Sequence, residues 1–127
     1  LAGAMRISAS GLTAERFRMD VISSNIANAS SMKIDGREPY RRRDVALSGD
    51  ANGVRIVGIV QDQKPFRVVD DPGNKYADER GKVTYSNVEP IYEMVNMIGA
   101  SRAYEANIAA FNSAKGMIKS ALSIGRI

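Results

Sequence analysis

The chain has 127 residues, 44% apolar and 25% charged, with 18 Lys and Arg against 14 Asp and Glu for a net charge of +4. It has no Cys and no His, which excludes disulfides, Cys or His metal sites and every nucleophile activated by His, so an enzyme would have to rely on carboxylates, Lys or Tyr. One compact domain, or one domain with long extensions, is expected, and no stretch reaches the roughly 20 apolar residues of a membrane span or shows a signal-peptide pattern.

At the N-terminus Met5, Leu12, Met19 and Ile26 recur every seven residues, and Ala9, Ile22 and Ala29 fall on the same face. A period near 3.6 gathers these positions into one stripe and predicts an amphipathic helix. Asn28, Ser30 and Ser31 compete for backbone hydrogen bonds, and Asp35-Gly36 and Pro39 follow, so the helix is expected to end near residues 28–31.

The middle of the chain is more charged and carries the turn signals. Residues 40–47, 54–60, 65–69 and 82–85 read as short strands. Asn52-Gly53 predicts a hairpin turn because both residues tolerate positive φ, and Asp71-Pro72-Gly73 and Glu79-Arg80-Gly81 mark further reversals. Arg41-Arg42-Arg43, near Lys33 and Arg37, could grip phosphates. Successive strand residues face opposite ways, however, and Asp35, Glu38 and Asp44 interleave, so a solvated strand or protein interface is expected, with a nucleic-acid-binding β module as the rival reading. Asp70, Asp71, Asp78 and Glu79 lack the ligand spacing of a calcium loop, and Gly81-Lys82 lacks the residues of a P-loop. No cofactor, small-molecule substrate or nucleic-acid partner is expected.

In the last segment Met97, Tyr104, Phe111 and Ile118 repeat every seven residues, joined by Ile108 and Leu122. A second long helix is predicted from Pro90 to about Ile124, with Glu93 placed to complement the helix dipole. Phe17 and Val21 lie off the first stripe, and Ile91, Val95 and Ile98 off the second. Each helix therefore has more than one apolar face, which predicts neighbours from other chains. The expected fold class is α+β: two long terminal helices forming a coiled-coil-like pair, with a small antiparallel β unit inserted between them. The subunit interface is expected at Leu12, Met19, Ile22, Ile26, Met97, Tyr104, Ile108, Phe111, Ile118 and Leu122.

Ser10-Gly11-Leu12-Thr13-Ala14-Glu15, Met19-Asp20 and Ser24-Asn25-Ile26-Ala27-Asn28-Ala29 resemble the N-terminal signature of bacterial flagellar rod and hook proteins, the axial family. Glu93-Met94-Val95 and Ser101-Arg102-Ala103-Tyr104-Glu105-Ala106-Asn107 resemble its C-terminal partner. The segments Gly36 to Arg43 and Asp71 to Asp78, and the short centre, resemble a proximal rod component; Ser31 stands where the axial signature usually has Thr. The resemblance implies residues 1–32 and 89–127 as the helices of an inner helical domain and residues 33–88 as a small β domain or extended β loop. It further implies a structural, non-enzymatic subunit of a tubular drive shaft that crosses the periplasm and transmits torque. Its partners would be copies of itself, other proximal and distal rod proteins, and the adapter to the membrane ring and export apparatus. Export would use the flagellar type III route without a cleaved signal, and residues ahead of Leu1 would complete the first helix and the export region.

Overall fold

Two helices bracket four strands in the computed structural model, which describes residues 1–125. In chain order these are α1 (Ala2–Ala27), β1 (Arg43–Asp50), β2 (Gly53–Gln61), β3 (Arg67–Asp70), β4 (Lys82–Tyr85) and α2 (Pro90–Ile124). The class is α+β, with terminal helices and antiparallel central strands as the periodicity predicts. At a rise of 1.5 Å per residue, the 26 residues of α1 and 35 of α2 extend about 39 and 52 Å.

Local chemistry sets the helix ends. The Asn28 N–H donates to Ser24 O at 3.1 Å, while the Asn28 side-chain amide donates to the same carbonyl at 2.8 Å and competes with continuation of α1. At the start of α2, Pro90 occupies a first turn where its missing N–H is harmless, and Glu93 N–H closes that turn on Glu89 O at 3.0 Å.

The strands form two separate hairpins, β1 with β2 and β3 with β4, rather than one sheet. β1 begins at Arg43, three residues later than expected, because side chains take the preceding backbone donors. Tyr40 N–H donates to Ser31 Oγ at 2.9 Å, and Arg42 N–H to Asn87 Oδ1 at 2.7 Å. The turn between β1 and β2 also differs from expectation. Gly53 alone takes positive φ, at 121°, while Asn52 N–H closes on Asp50 Oδ1 at 2.7 Å. The two-residue turn with both φ values positive lies instead at Asp35-Gly36, at 49° and 76°, where it closes a bridge between Ile34 and Arg37.

One compact unit comprises residues 1–19, 45–58 and the chain from Ile98 onward. Its buried positions are small residues: Ser8, Gly11 and Ala14 on α1, Ala100 and Ala114 on α2. Small side chains let helix backbones approach, and a Cβ on Gly11 would lie 2.8 Å from the amide nitrogen and oxygen of Asn107. The hairpin tip docks on α1 in the same unit. Val54 N–H donates to Ser10 Oγ at 3.0 Å, and that hydroxyl donates to Ile7 O at 2.6 Å. A Cβ on Gly53 would overlap Ser10 Oγ, so glycine is needed here for space as well as for φ.

The second unit comprises residues 20–44 and 59–97. Val21, Ile22, Ala29, Val83 and Val88 form its apolar core. β3 and β4 pair Val69 with Val83 and Asp70 with Lys82. The segment after α1 covers the free edge of β4, since Lys33 N–H donates to Thr84 O at 2.8 Å and Ser86 N–H to Ser31 O at 2.9 Å. An edge so covered is withheld from pairing with other chains.

The turn from β3 to β4 is organised by Asp78, whose carboxylate accepts Lys82 N–H at 2.9 Å and Arg80 N–H at 2.8 Å. The Lys82 bond outweighs partial desolvation and, with the Arg80 bond and the two cationic side chains, holds the Asp78 carboxyl below the ordinary carboxylate range. A depressed carboxylate supports the folded turn above its unfolded pKa of about 4, and that support is lost as pH falls through the folded value. Protection of the Arg80 and Lys82 amides, corrected for intrinsic exchange, is expected to fall below about pH 4. Asp78→Asn should remove this acid-dependent step.

Candidate functional site

The second unit holds a buried polar cluster built from α1, the approach to β1, the end of β2, the loop after β4 and the first turn of α2. Glu93 and Asn25 are both fully buried, at 0% exposure. Arg42 Nε donates to Glu93 Oε1, and Arg42 Nη1 lies 3.4 Å from Asp62 Oδ2 and 3.7 Å from Asp44 Oδ2. Burial opposes the guanidinium charge. The Glu93 hydrogen bond and the charges of Glu93, Asp44 and Asp62 outweigh it and hold the Arg42 pKa above its ordinary value.

Asn25 joins the helix to the strand. Its amide nitrogen donates to Arg43 O at 2.8 Å and Glu93 Oε2 at 3.2 Å. Its oxygen accepts Arg43 N–H at 3.0 Å and the Tyr40 hydroxyl at 2.8 Å. Asn87 completes the cluster, accepting Arg42 N–H and donating to Asp62 O at 3.0 Å and Lys64 O at 3.1 Å. No buried side-chain polar atom among the described residues lacks a partner. A charged group in a low-dielectric site is tolerated only under such complete pairing.

The arginine run is thereby accounted for within the chain. Arg41 stacks over Phe66 at 4.2 Å and donates to Asp62 O at 2.8 Å, Arg42 enters the cluster, and Arg43 lies over Tyr40 at 5.5 Å. Engaged guanidinium groups are poor candidates for a phosphate grip. Among the described residues no group of His, Cys, Asp and Glu is disposed to hold a metal ion, and no helix is long and apolar enough to cross a membrane.

The residues expected at a subunit interface have varied surroundings. Leu12 and Met19 on α1, and Tyr104, Phe111 and Ile118 on α2, are half-buried in the first unit, where Ile108 and Leu122 are exposed. In the second unit Ile26 and Met97 are half-buried and Ile22 is buried in its own core. The first turns of α2 expose Ile91, Met94, Val95 and Ile98, an i, i+3, i+4, i+7 stripe opposite buried Glu93.

Sequence reasoning missed the polar cluster. Glu93 was expected only to complement the helix dipole, yet it lies four residues before Met97 on the same face, and a carboxylate on an apolar seam signals a buried partner. Asn25, three residues after Ile22, carries the same signal on α1.

The family model described as "Flagella basal body rod protein" matches residues 5–31, which contain Ser10, Gly11 and Asn25. The one described as "Flagellar basal body rod FlgEFG protein C-terminal" matches residues 79–124, which contain Asn87, Glu93 and Asn107. The flagellar basal-body rod protein FlgC of Bacillus subtilis is 40% identical over 96% of each chain. FlgC of Borreliella burgdorferi is 37% identical over 98% of this chain and 97% of its own, and FlgC of Salmonella typhimurium is 38% identical over 94% of each.

Proposed function

This chain belongs to the family of flagellar basal-body rod proteins, and from that premise we propose that its terminal helices, residues 1–32 and 89–127, pack with those of neighbouring subunits into the inner tube of the proximal rod. The role is structural. Contacts that repeat without closing build a tube rather than a dimer, and interlocked helices resist shear, so the assembled rod transmits torque. The partners are further copies and other rod proteins, and the subunit reaches the basal body by flagellar export without a cleaved signal. The β region, residues 33–88, lies outside the tube.

One observation carries this reading: the large apolar side chains that α2 leaves uncovered. Ile91 is 80% exposed, Val95 61% and Leu122 63%. Burying one such side chain contributes roughly 1.5 to 3 kcal/mol, so a few per subunit outweigh the ordering of a helix end once neighbours are present. Leu12, Met19, Ile26, Met97, Tyr104, Phe111 and Ile118 offer their half-covered sides to the same neighbours, and Ile108 adds an exposed edge. Ile22 supports this surface from within.

Leu122→Glu and Val95→Glu test the proposal, because both positions are exposed in the single chain and tolerate charge without loss of its fold. The expected result is an unchanged circular dichroism spectrum for each purified variant and loss of rods and motility in cells carrying it. Normal rods in both would overturn the assignment of this surface to assembly.

A further inference from the structure

Of the eight asparagines in the chain, only Asn52 precedes a glycine. It sits exposed in the turn between β1 and β2. Its side-chain amide makes no hydrogen bond among the described residues, while its backbone N–H donates to Asp50 Oδ1 at 2.7 Å. Asn25, Asn28, Asn74, Asn87 and Asn107, by contrast, all have their side-chain amides hydrogen-bonded. A free amide followed by a residue without Cβ is the arrangement that lets a backbone nitrogen reach the side-chain carbonyl carbon, since no side chain hinders the approach.

We propose that Asn52-Gly53 is a self-modifying site, where spontaneous succinimide formation and hydrolysis convert Asn52 to an isoaspartyl or aspartyl residue and weaken the docking of the hairpin tip on α1. The Gly53 backbone nitrogen attacks Asn52 Cγ and forms an N–Cγ bond. The Cγ–Nδ2 bond breaks, and ammonia leaves with the proton from the Gly53 amide. Water then opens the ring at either carbonyl: cleavage of the new bond yields the aspartyl form, and cleavage of the original peptide bond yields the isoaspartyl form. No oxidant or enzyme is required.

The position gives the reaction its consequence. The isoaspartyl product inserts a methylene into the main chain immediately before Gly53, which fits against Ser10 without room for a Cβ, and Val54, whose N–H donates to Ser10 Oγ at 3.0 Å. Either product adds a carboxylate beside Asp50, and like charges in a tight turn oppose its closure. Modification is therefore expected to loosen the tip slowly and irreversibly.

The test is to incubate the full chain at neutral pH and 37 °C and digest it with trypsin, which releases residues 44–55 with Asn52 as the sole Asn. The expected result is one added mass unit in this peptide at least an order of magnitude faster than in any other Asn-containing peptide, with isoaspartate at position 52 by fragmentation. Protection of the Val54 amide should fall in proportion to conversion. An Asn52→Gln chain, whose longer side chain closes the ring far more slowly, should keep both mass and protection over the same period. The proposal is overturned if this peptide stays unmodified in the folded chain while the urea-unfolded chain converts. It is also overturned if conversion leaves Val54 protection unchanged.

Discussion

Replacing Glu93 by Ala is expected to lower the unfolding free energy by about 3 to 5 kcal/mol, the cost of leaving a buried charge without its partner. Glu93 is fully buried, and its two carboxylate oxygens serve Arg42 Nε and Asn25 Nδ2 separately, so truncation takes the acceptor from the Arg42 Nε–H and from one Asn25 amide N–H together. Asp62 and Asp44 remain near Arg42 Nη1, at 3.4 and 3.7 Å, too far to match the bond lost at Nε. Urea unfolding followed by circular dichroism measures the effect as a lower midpoint with an unchanged slope. Replacing both ends, as Arg42→Met with Glu93→Leu, should cost less than Glu93→Ala alone, because an apolar pair leaves neither charge stranded. A single variant as stable as the parent would mean that solvent reaches Arg42 and that the cluster contributes little.

Gly53→Ala is expected to destabilise the hairpin and its seat on α1 by about 1 to 3 kcal/mol, the usual strain of a side chain held in a sparsely populated backbone region. The φ of 121° is unfavourable for any residue with a Cβ, and that Cβ would also overlap Ser10 Oγ. Either the tip lifts from the helix, losing the Val54 bond to Ser10, or the strain remains. Both outcomes lower the thermal midpoint, and amide exchange at Val54 tells them apart. Gly58→Ala is the matched control, because nothing lies within 4 Å of a Cβ there and its φ is not positive.

These two sites show how far local chemistry reaches in this chain. The helices were legible because their stripes are long: Met97, Tyr104, Phe111 and Ile118 hold one period over many turns, and Pro90 marks the start of α2. β4 occupies Lys82–Tyr85 as expected, since β-branched and aromatic residues stand between Gly81 and the Ser86-Asn87 turn. The start of β1 was misplaced because Ser31 and Asn87, far away in sequence, compete for the backbone donors of Tyr40 and Arg42. Residues of the axial signatures likewise acquired physical roles only in three dimensions: Ser10 seats the hairpin, Gly11 makes room for Asn107, and Asn25 and Glu93 meet across 68 positions of sequence.

The sequence by itself determined the class of the protein, the order and type of its elements, the lack of His- or Cys-based chemistry and its membership of the rod family, because periodicity, composition and short motifs are local properties. Tertiary structure alone decided that the four strands divide into two hairpins, that small residues rather than the large heptad side chains occupy the close contacts, and that Arg42 of the arginine run turns inward to Glu93. The physical reason is that pairing and burial depend on which distant groups arrive at the same place. A carboxylate such as Glu93 reads as a surface charge until Arg42 and Asn25 meet it away from water.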